Sequence, residues 1–105
     1  MNELSWSVTR EPERAVVAVT GVLTVGNAPR LEEALVSLAS EADLVIDLEG
    51  LEFLDSSGLS VFIAAYKAST RNDTTVILDR VPAFLTRVLR VTGLHQLLLA
   101  PNQTS

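Results

Sequence analysis

The sequence predicts a single α/β domain with a mixed, mostly parallel sheet, an antiparallel first strand and about three to four helices. Three observations carry that prediction. Valine- and leucine-rich runs alternate along the chain with segments whose apolar residues recur every three or four positions, the signature of strands exchanging with amphipathic helices. The first two strand-like runs, "LSWSVTR" and "AVVAVTGVL", are joined only by "EPE", a turn that suits an antiparallel pair. A length of 105 residues, with 48% hydrophobic and 20% charged residues, suffices for one buried core and is too short for two. One domain over 1–105 is therefore expected, with its core over about 4–100 and a frayed tail, "PNQTS", over 101–105.

The elements follow in order. In 4–10, Leu4, Trp6 and Val8 alternate with polar neighbours, as in a half-buried strand. The run 15–23 is denser and valine-rich, and should pair with it. After Gly26 and Asn27, Leu31, Leu35 and Leu38 recur at helical spacing over 28–39. Pro29 suits the first turn of that helix, and Glu32 and Glu33 lie near the positive end of its dipole. "LVIDL" (44–48) reads as a strand buried on both faces. Leu59, Phe62, Ile63 and Tyr66 then form the stripe of a second helix ending near Arg71. A turn at Asn72 and Asp73 leads to a strand at 74–79. Pro82 opens a third helix with Leu85, Val88 and Leu89 as its apolar stripe, and Gly93 is placed to end it in the left-handed conformation. "QLLLA" (96–100) is expected as a short last strand. The resulting order, β-β-α-β-α-β-α-β, implies right-handed crossovers, with sites in loops after the carboxyl ends of the parallel strands.

Charge and composition exclude several classes. A net charge of −5 argues against a general nucleic-acid binder, which would carry a basic stripe. Residues 1–55 hold 11 acids and 3 bases, whereas 56–105 hold 2 and 5, so the halves differ in sign. That asymmetry describes either two solvated faces or a polarised protein-binding surface. No apolar run approaches the ~20 residues of a membrane span, and "MNELSWSVTR" lacks a secretory pattern, so a cytoplasmic location is expected. The absence of cysteine removes disulfide, thiolate-metal and cysteine-nucleophile chemistry.

The stretch "LDSSGLS" (54–60) raises the functional question, because it puts two hydroxyls where a helix begins. Asp55, Ser56 and Ser57 suit a helix start, with Ser57 the better N-cap candidate and Gly58 allowing a sharp turn. A sharper reading is a phosphorylation site. A phosphoserine brings a charge of about −1.5 to −2, which the helix dipole and the unpaired N–H groups of a first turn stabilise.

These residues also carry a resemblance. Asp55-Ser56-Ser57-Gly58-Leu59 after "LVIDL", with "VTGVLTVGNAPRLEEAL" upstream and "FLTRVLRVTGLHQLL" downstream, resembles the anti-sigma factor antagonists of the STAS family (sulfate transporter and anti-sigma factor antagonist). The resemblance implies a mixed sheet with helices and a partner-switching mechanism. The unphosphorylated antagonist binds an anti-sigma factor that is also a serine kinase, which frees a sigma factor. Phosphorylation of the second serine, here Ser57, dissolves the complex, and a PP2C-type phosphatase resets it. The same mapping makes Asp55 the support of the serine loop, with Ser56 and Gly58 shaping it. It places Leu59, Thr24 and Asn27 on the partner surface, although antagonists often carry acids in the segment written here "GVLTV". It also allows a STAS scaffold or adaptor, stressosome-like or regulating a transport complex, without a phospho-switch. No cofactor, direct nucleic-acid contact or membrane contact is implied, and a weak homodimer is allowed.

Other chemistries fit less well. Asp47, Glu49, Glu52 and Asp55 suggest a magnesium site or an acid/base pair, but nothing directs two of them at one target, and a solvated loop is the simpler expectation. A small enzyme using this acidic loop is a third class. A receiver domain would need an acidic pair after its first strand and a lysine after its last, and "GVLTV" and "LLLAPN" supply neither. "DSSGLS" is not a G-x-S-x-G elbow, and His95, the only histidine, is expected in a loop after Gly93 and Leu94. Intrinsic catalysis is not expected. In the third helix, Phe84, Val91, Arg80, Arg87 and Arg90 read as core packing with snorkelling arginines rather than as an interaction surface.

Overall fold

A computed structural model describes residues 3–99; the expected frayed tail lies outside the described residues. The chain runs β1 (Ser5–Arg10), β2 (Arg14–Leu23), α1 (Ala28–Glu41), β3 (Asp43–Leu54), α2 (Ser56–Arg71), β4 (Val76–Asp79), α3 (Ala83–Thr92) and α4 (His95–Leu98). The four strands form one sheet in the order β1-β2-β3-β4. β1 is antiparallel to β2, and β2, β3 and β4 are mutually parallel, as expected.

Why one face of this sheet is the core follows from alternation. Ala15, Val17 and Val19 on β2, Leu44, Ile46 and Leu48 on β3, and Val76 and Leu78 on β4 are all buried, while the intervening Val16, Ala18, Val45 and Ile77 are half-buried. The expectation of a β3 buried on both faces is thereby corrected. Onto the buried face pack Leu31, Leu35 and Leu38 of α1, Val61, Phe62, Ala65 and Ala68 of α2, and Leu85 and Leu89 of α3. Each fully buried leucine or phenylalanine contributes about 1.5–3 kcal/mol.

Four further expectations change. The core-facing stripe of α2 is Val61, Phe62, Ala65 and Ala68, so Leu59, Ile63 and Tyr66 flank it at half burial. Small residues win that face because α1 and α2 pack against each other, and alanine lets their backbones approach. Glu32 and Glu33 lie beyond the first turn of α1, where the dipole adds little. The expected last strand at 96–100 is replaced, over its described residues, by the helical turn His95–Leu98 and a single parallel bridge from Leu78 to Leu99. Turn bonds from the N–H of Leu97 and Leu98 to the carbonyl of Leu94 win over a ladder there. His95 accordingly opens α4 rather than sitting in a loop, with a buried Nδ1 that has no hydrogen-bond partner. Gly93 does close α3, at φ 81°.

In α3, Leu85 and Leu89 are buried, but Phe84, Val88 and Val91 are 37%, 40% and 82% exposed. Core packing therefore accounts for only two of that helix's six apolar residues.

The β3–β4 side is pinned by charge. Arg80 adopts φ 50°, unfavourable for a bulky side chain, and its guanidinium forks onto both oxygens of Asp47 and reaches Glu49 at 3.0 Å. The Arg80 hydrogen bond holds the Asp47 carboxyl below its ordinary value; partial burial opposes this and the Glu49 backbone N–H assists it. Because the folded-state value is depressed, this stabilisation is present above the unfolded carboxyl value, about 3.9, and is lost as pH falls through the lower folded value. Melting temperature should thus decline below about pH 4, and Arg80→Gln should flatten that decline in a pH series of thermal melts.

Candidate functional site

Two loops meet at the carboxyl ends of β2 and β3. The first, Thr24–Asn27, is a turn closed by its own backbone, with the N–H groups of Asn27 and Ala28 donating to the carbonyl of Thr24 at 3.0 and 2.8 Å. Asn27 locks it from the side: its Oδ1 accepts from Thr24 N–H at 2.9 Å, and its Nδ2 donates to the Val22 carbonyl at 3.0 Å. Pro29 then starts α1, where its missing N–H costs nothing.

The second loop is the step from β3 into α2, and Asp55 is its hinge. Its backbone N–H donates to the Leu23 carbonyl at 3.2 Å, continuing the β2–β3 pairing by one residue. Its Oδ1 accepts from Gly58 N–H at 3.1 Å, and its Oδ2 accepts from Val25 N–H at 3.1 Å. One carboxylate therefore caps α2 and holds the neighbouring turn.

This corrects two sequence readings. The N-cap is Asp55 and not Ser57, because the carboxylate in extended backbone geometry reaches the Gly58 N–H one turn on. Gly58 is helical, and its lack of a side chain serves close packing instead of a sharp turn. A Cβ there would stand 2.9 Å from Leu23 Cγ and 2.9 Å from Leu54 Cβ. Asparagine at 55 retains one acceptor but turns an N–H toward Val25. Asp55→Asn should cost about 1 kcal/mol in urea denaturation and lower hydrogen-exchange protection of the Val25 amide.

With Asp55 as cap, Ser56 and Ser57 occupy the first turn of α2. Ser56 is exposed and Ser57 half-buried. Ser60 returns its hydroxyl to the Ser56 carbonyl at 3.1 Å, whereas among the described residues the Ser57 hydroxyl makes no hydrogen bond. That hydroxyl sits where the first-turn N–H groups of a helix are unpaired and the dipole is positive.

Thr24, Asn27, Asp55, Ser56, Ser57, Gly58 and Leu59 thus fall on one rim, but not in one role. Asn27 is spent on holding its turn, Gly58 is buried, and Leu59 is half-buried against the core. Two apolar residues unassigned in the sequence stand exposed here, Val25 at 70% and Phe53 at 52%. Their signals were present: a valine inside a turn, and a phenylalanine after Gly50, where the alternation of β3 breaks. The four loop carboxylates do not converge on one site, although two of them, against the sequence expectation, share one target in the Arg80 guanidinium. Asp47 and Glu49 bind Arg80, Asp55 binds backbone N–H groups, and Glu52 is exposed. Among the described residues no group of three or more acids, histidines or cysteines is placed to hold a metal ion, and no helix is long and apolar enough to cross a membrane.

The geometry is that of a small α/β domain: a four-stranded mixed sheet with helices packed on its buried face and a capped serine turn at its carboxyl rim. The family model described as "Mlab, STAS domain" matches residues 6–100. The anti-sigma-B factor antagonist of Staphylococcus aureus (strain NCTC 8325 / PS 47) is 31% identical over 97 residues, covering 90% of each chain. That of Staphylococcus epidermidis is 34% identical over 84 residues, 78% of each. Among solved structures, an anti-sigma factor antagonist from Mycobacterium paratuberculosis superposes with a TM-score of 0.76 at 32% identity, covering 94% of this chain and 86% of that one. The chain belongs to the STAS-domain family of anti-sigma factor antagonists.

Proposed function

We propose that this protein is an anti-sigma factor antagonist that binds an anti-sigma factor with serine kinase activity while unphosphorylated, and is switched off by phosphorylation of Ser57. The observation that carries the reading is the division of labour in the first turn of α2. Asp55 makes the cap, so the Ser57 hydroxyl is left without a structural task. A scaffold or adaptor in which Ser57 is only a cap is correspondingly less supported. Val25, whose N–H bonds the capping Asp55, and Phe53, two residues before that aspartate, supply exposed apolar surface for contact, and the acidic residues of the first half favour a basic partner surface. Leu59 and Thr24 lie at the edge of that contact, and Asn27 keeps its loop in shape.

Phosphoryl transfer forms a bond from Ser57 Oγ to the γ-phosphorus of ATP as the bond to the ADP oxygen breaks, with the hydroxyl proton leaving to a base on the kinase. Helix α2 accepts the dianion without refolding, because its first turn supplies unpaired N–H groups. A PP2C-type phosphatase reverses the modification. The antagonist itself contributes no catalytic group in this scheme, and its place of action is with the transcription machinery of the cytoplasm.

Incubation with ATP and cognate anti-sigma kinases, followed by phosphosite mapping, tests this directly. Phosphate confined to Ser57, and absent from Ser57→Ala, is expected. Stable binding of the kinase with no phosphate on Ser57 would instead make the protein an adaptor.

A further inference from the structure

We infer that the outer edge of β1 is a self-association surface, on which a second copy of this chain lays its own β1 antiparallel across a two-fold axis and joins two four-stranded sheets into one of eight. β1 pairs with β2 on one side only, in an unbroken register from Ser5↔Thr20 to Arg10↔Ala15. Its other side offers N–H and C=O groups that no described strand takes up. Edge strands are ordinarily blunted by lysine, proline, a bulge or an inward charge. The run Ser5–Arg10 has none of these before its final residue, Arg10.

The side chains suit a copy of themselves. Trp6 and Val8 lie opposite the buried Val19 and Val17, and so share the helix-side face, while Ser5, Ser7 and Thr9 share the other. Val8 is 42% exposed and Trp6 half-buried. A two-fold axis normal to the sheet keeps the faces separate, so apolar residues meet apolar ones and hydroxyls meet hydroxyls. With the pairing centred on Trp6, Leu4 lies opposite Val8 of the second copy and Ser5 opposite its Ser7, and no like charges are opposed.

Beside this edge runs a groove of about 550 Å³ lined by Trp6, Pro29, Arg30, Glu33, Ala34 and Ser37. It holds one positive and one negative side chain, so a two-fold copy meets a wall of balanced charge, with small residues at Ala34 and Ser37. That self-complementarity selects a second copy over an acidic or a basic partner. The exposed stripe of α3 differs, because Phe84, Val88 and Val91 are flanked by Arg87 and Arg90, and two such faces repel.

Trp6 is the only tryptophan, so its emission reports on this edge alone. Sedimentation velocity of the full chain from micromolar to millimolar concentration should show a monomer–dimer equilibrium, with Trp6 emission shifting to the blue as dimer forms. Val8→Lys, at an exposed position, should raise the dissociation constant about tenfold or more while circular dichroism and melting temperature are retained, and Val91→Lys should leave the dimer intact. A monomer with concentration-independent Trp6 emission overturns the inference. So does a dimer that survives Val8→Lys and is lost in Val91→Lys. Neither readout depends on Ser57, so failure here leaves the phospho-switch untouched.

Discussion

The Ser57→Asp variant is expected to bind its anti-sigma factor at least about a hundredfold more weakly than wild type, a loss of about 2.8 kcal/mol. Like-charge juxtaposition across an interface costs several kcal/mol, and position 57 is in the first turn of α2, whose capping Asp55 also holds the Val25 N–H. Folding should be spared. An acid in the first turn of α2 gains about 0.3–1 kcal/mol from the dipole, which offsets repulsion by the capping carboxylate. Titration calorimetry and thermal melts on the same samples separate the two effects, and Ser57→Ala should keep both affinity and stability. Enzymatically phosphorylated protein provides the stronger arm, since its charge is about twice that of aspartate. Equal affinities for the wild-type, Ser57→Asp and phosphorylated forms would remove Ser57 from the switch.

Gly21→Ala is expected to be the most destabilising single methyl addition, costing about 3 kcal/mol or more in urea denaturation. Gly21 has φ 98°, a conformation that side chains rarely adopt, and a Cβ there would stand 2.1 Å from the Glu3 carbonyl oxygen. That contact is with backbone, which cannot rotate away. The position lies where the β2–β3 register shifts, between Gly21 and Val22. Displacing the shift would misplace Leu23, whose carbonyl receives the Asp55 N–H, and so would disturb the serine turn from a distance. Hydrogen exchange at Asp55 should therefore increase together with the loss of stability.

Much of the fold was legible because it rests on periodicity. Alternating valines and leucines, the leucine stripe of α1 and the punctuation at Pro29, Asn72, Pro82 and Gly93 are local signals, and each appears where the chain places it. The misreadings share a physical cause. "QLLLA" has strand composition, but its neighbours offer one bridge at Leu99 in place of a ladder, so turn bonds decide. In α2 both faces are apolar, and only the approach of α1 selects the small-residue face for the core.

At the site the division is the same. The motif Asp55-Ser56-Ser57-Gly58-Leu59 locates the helix start and the family from composition and order alone, since cap residues act on backbone a few positions away. What Asp55 does with its second oxygen depends on Val25, 30 residues distant in sequence. The requirement for Gly58 comes from Leu23, and that for Gly21 from Glu3. These are contacts between segments that meet only when the sheet has assembled. Local chemistry determined which residues stand at the rim, whereas the release of the Ser57 hydroxyl from capping was decided by a carboxylate that tertiary structure had already placed between two loops.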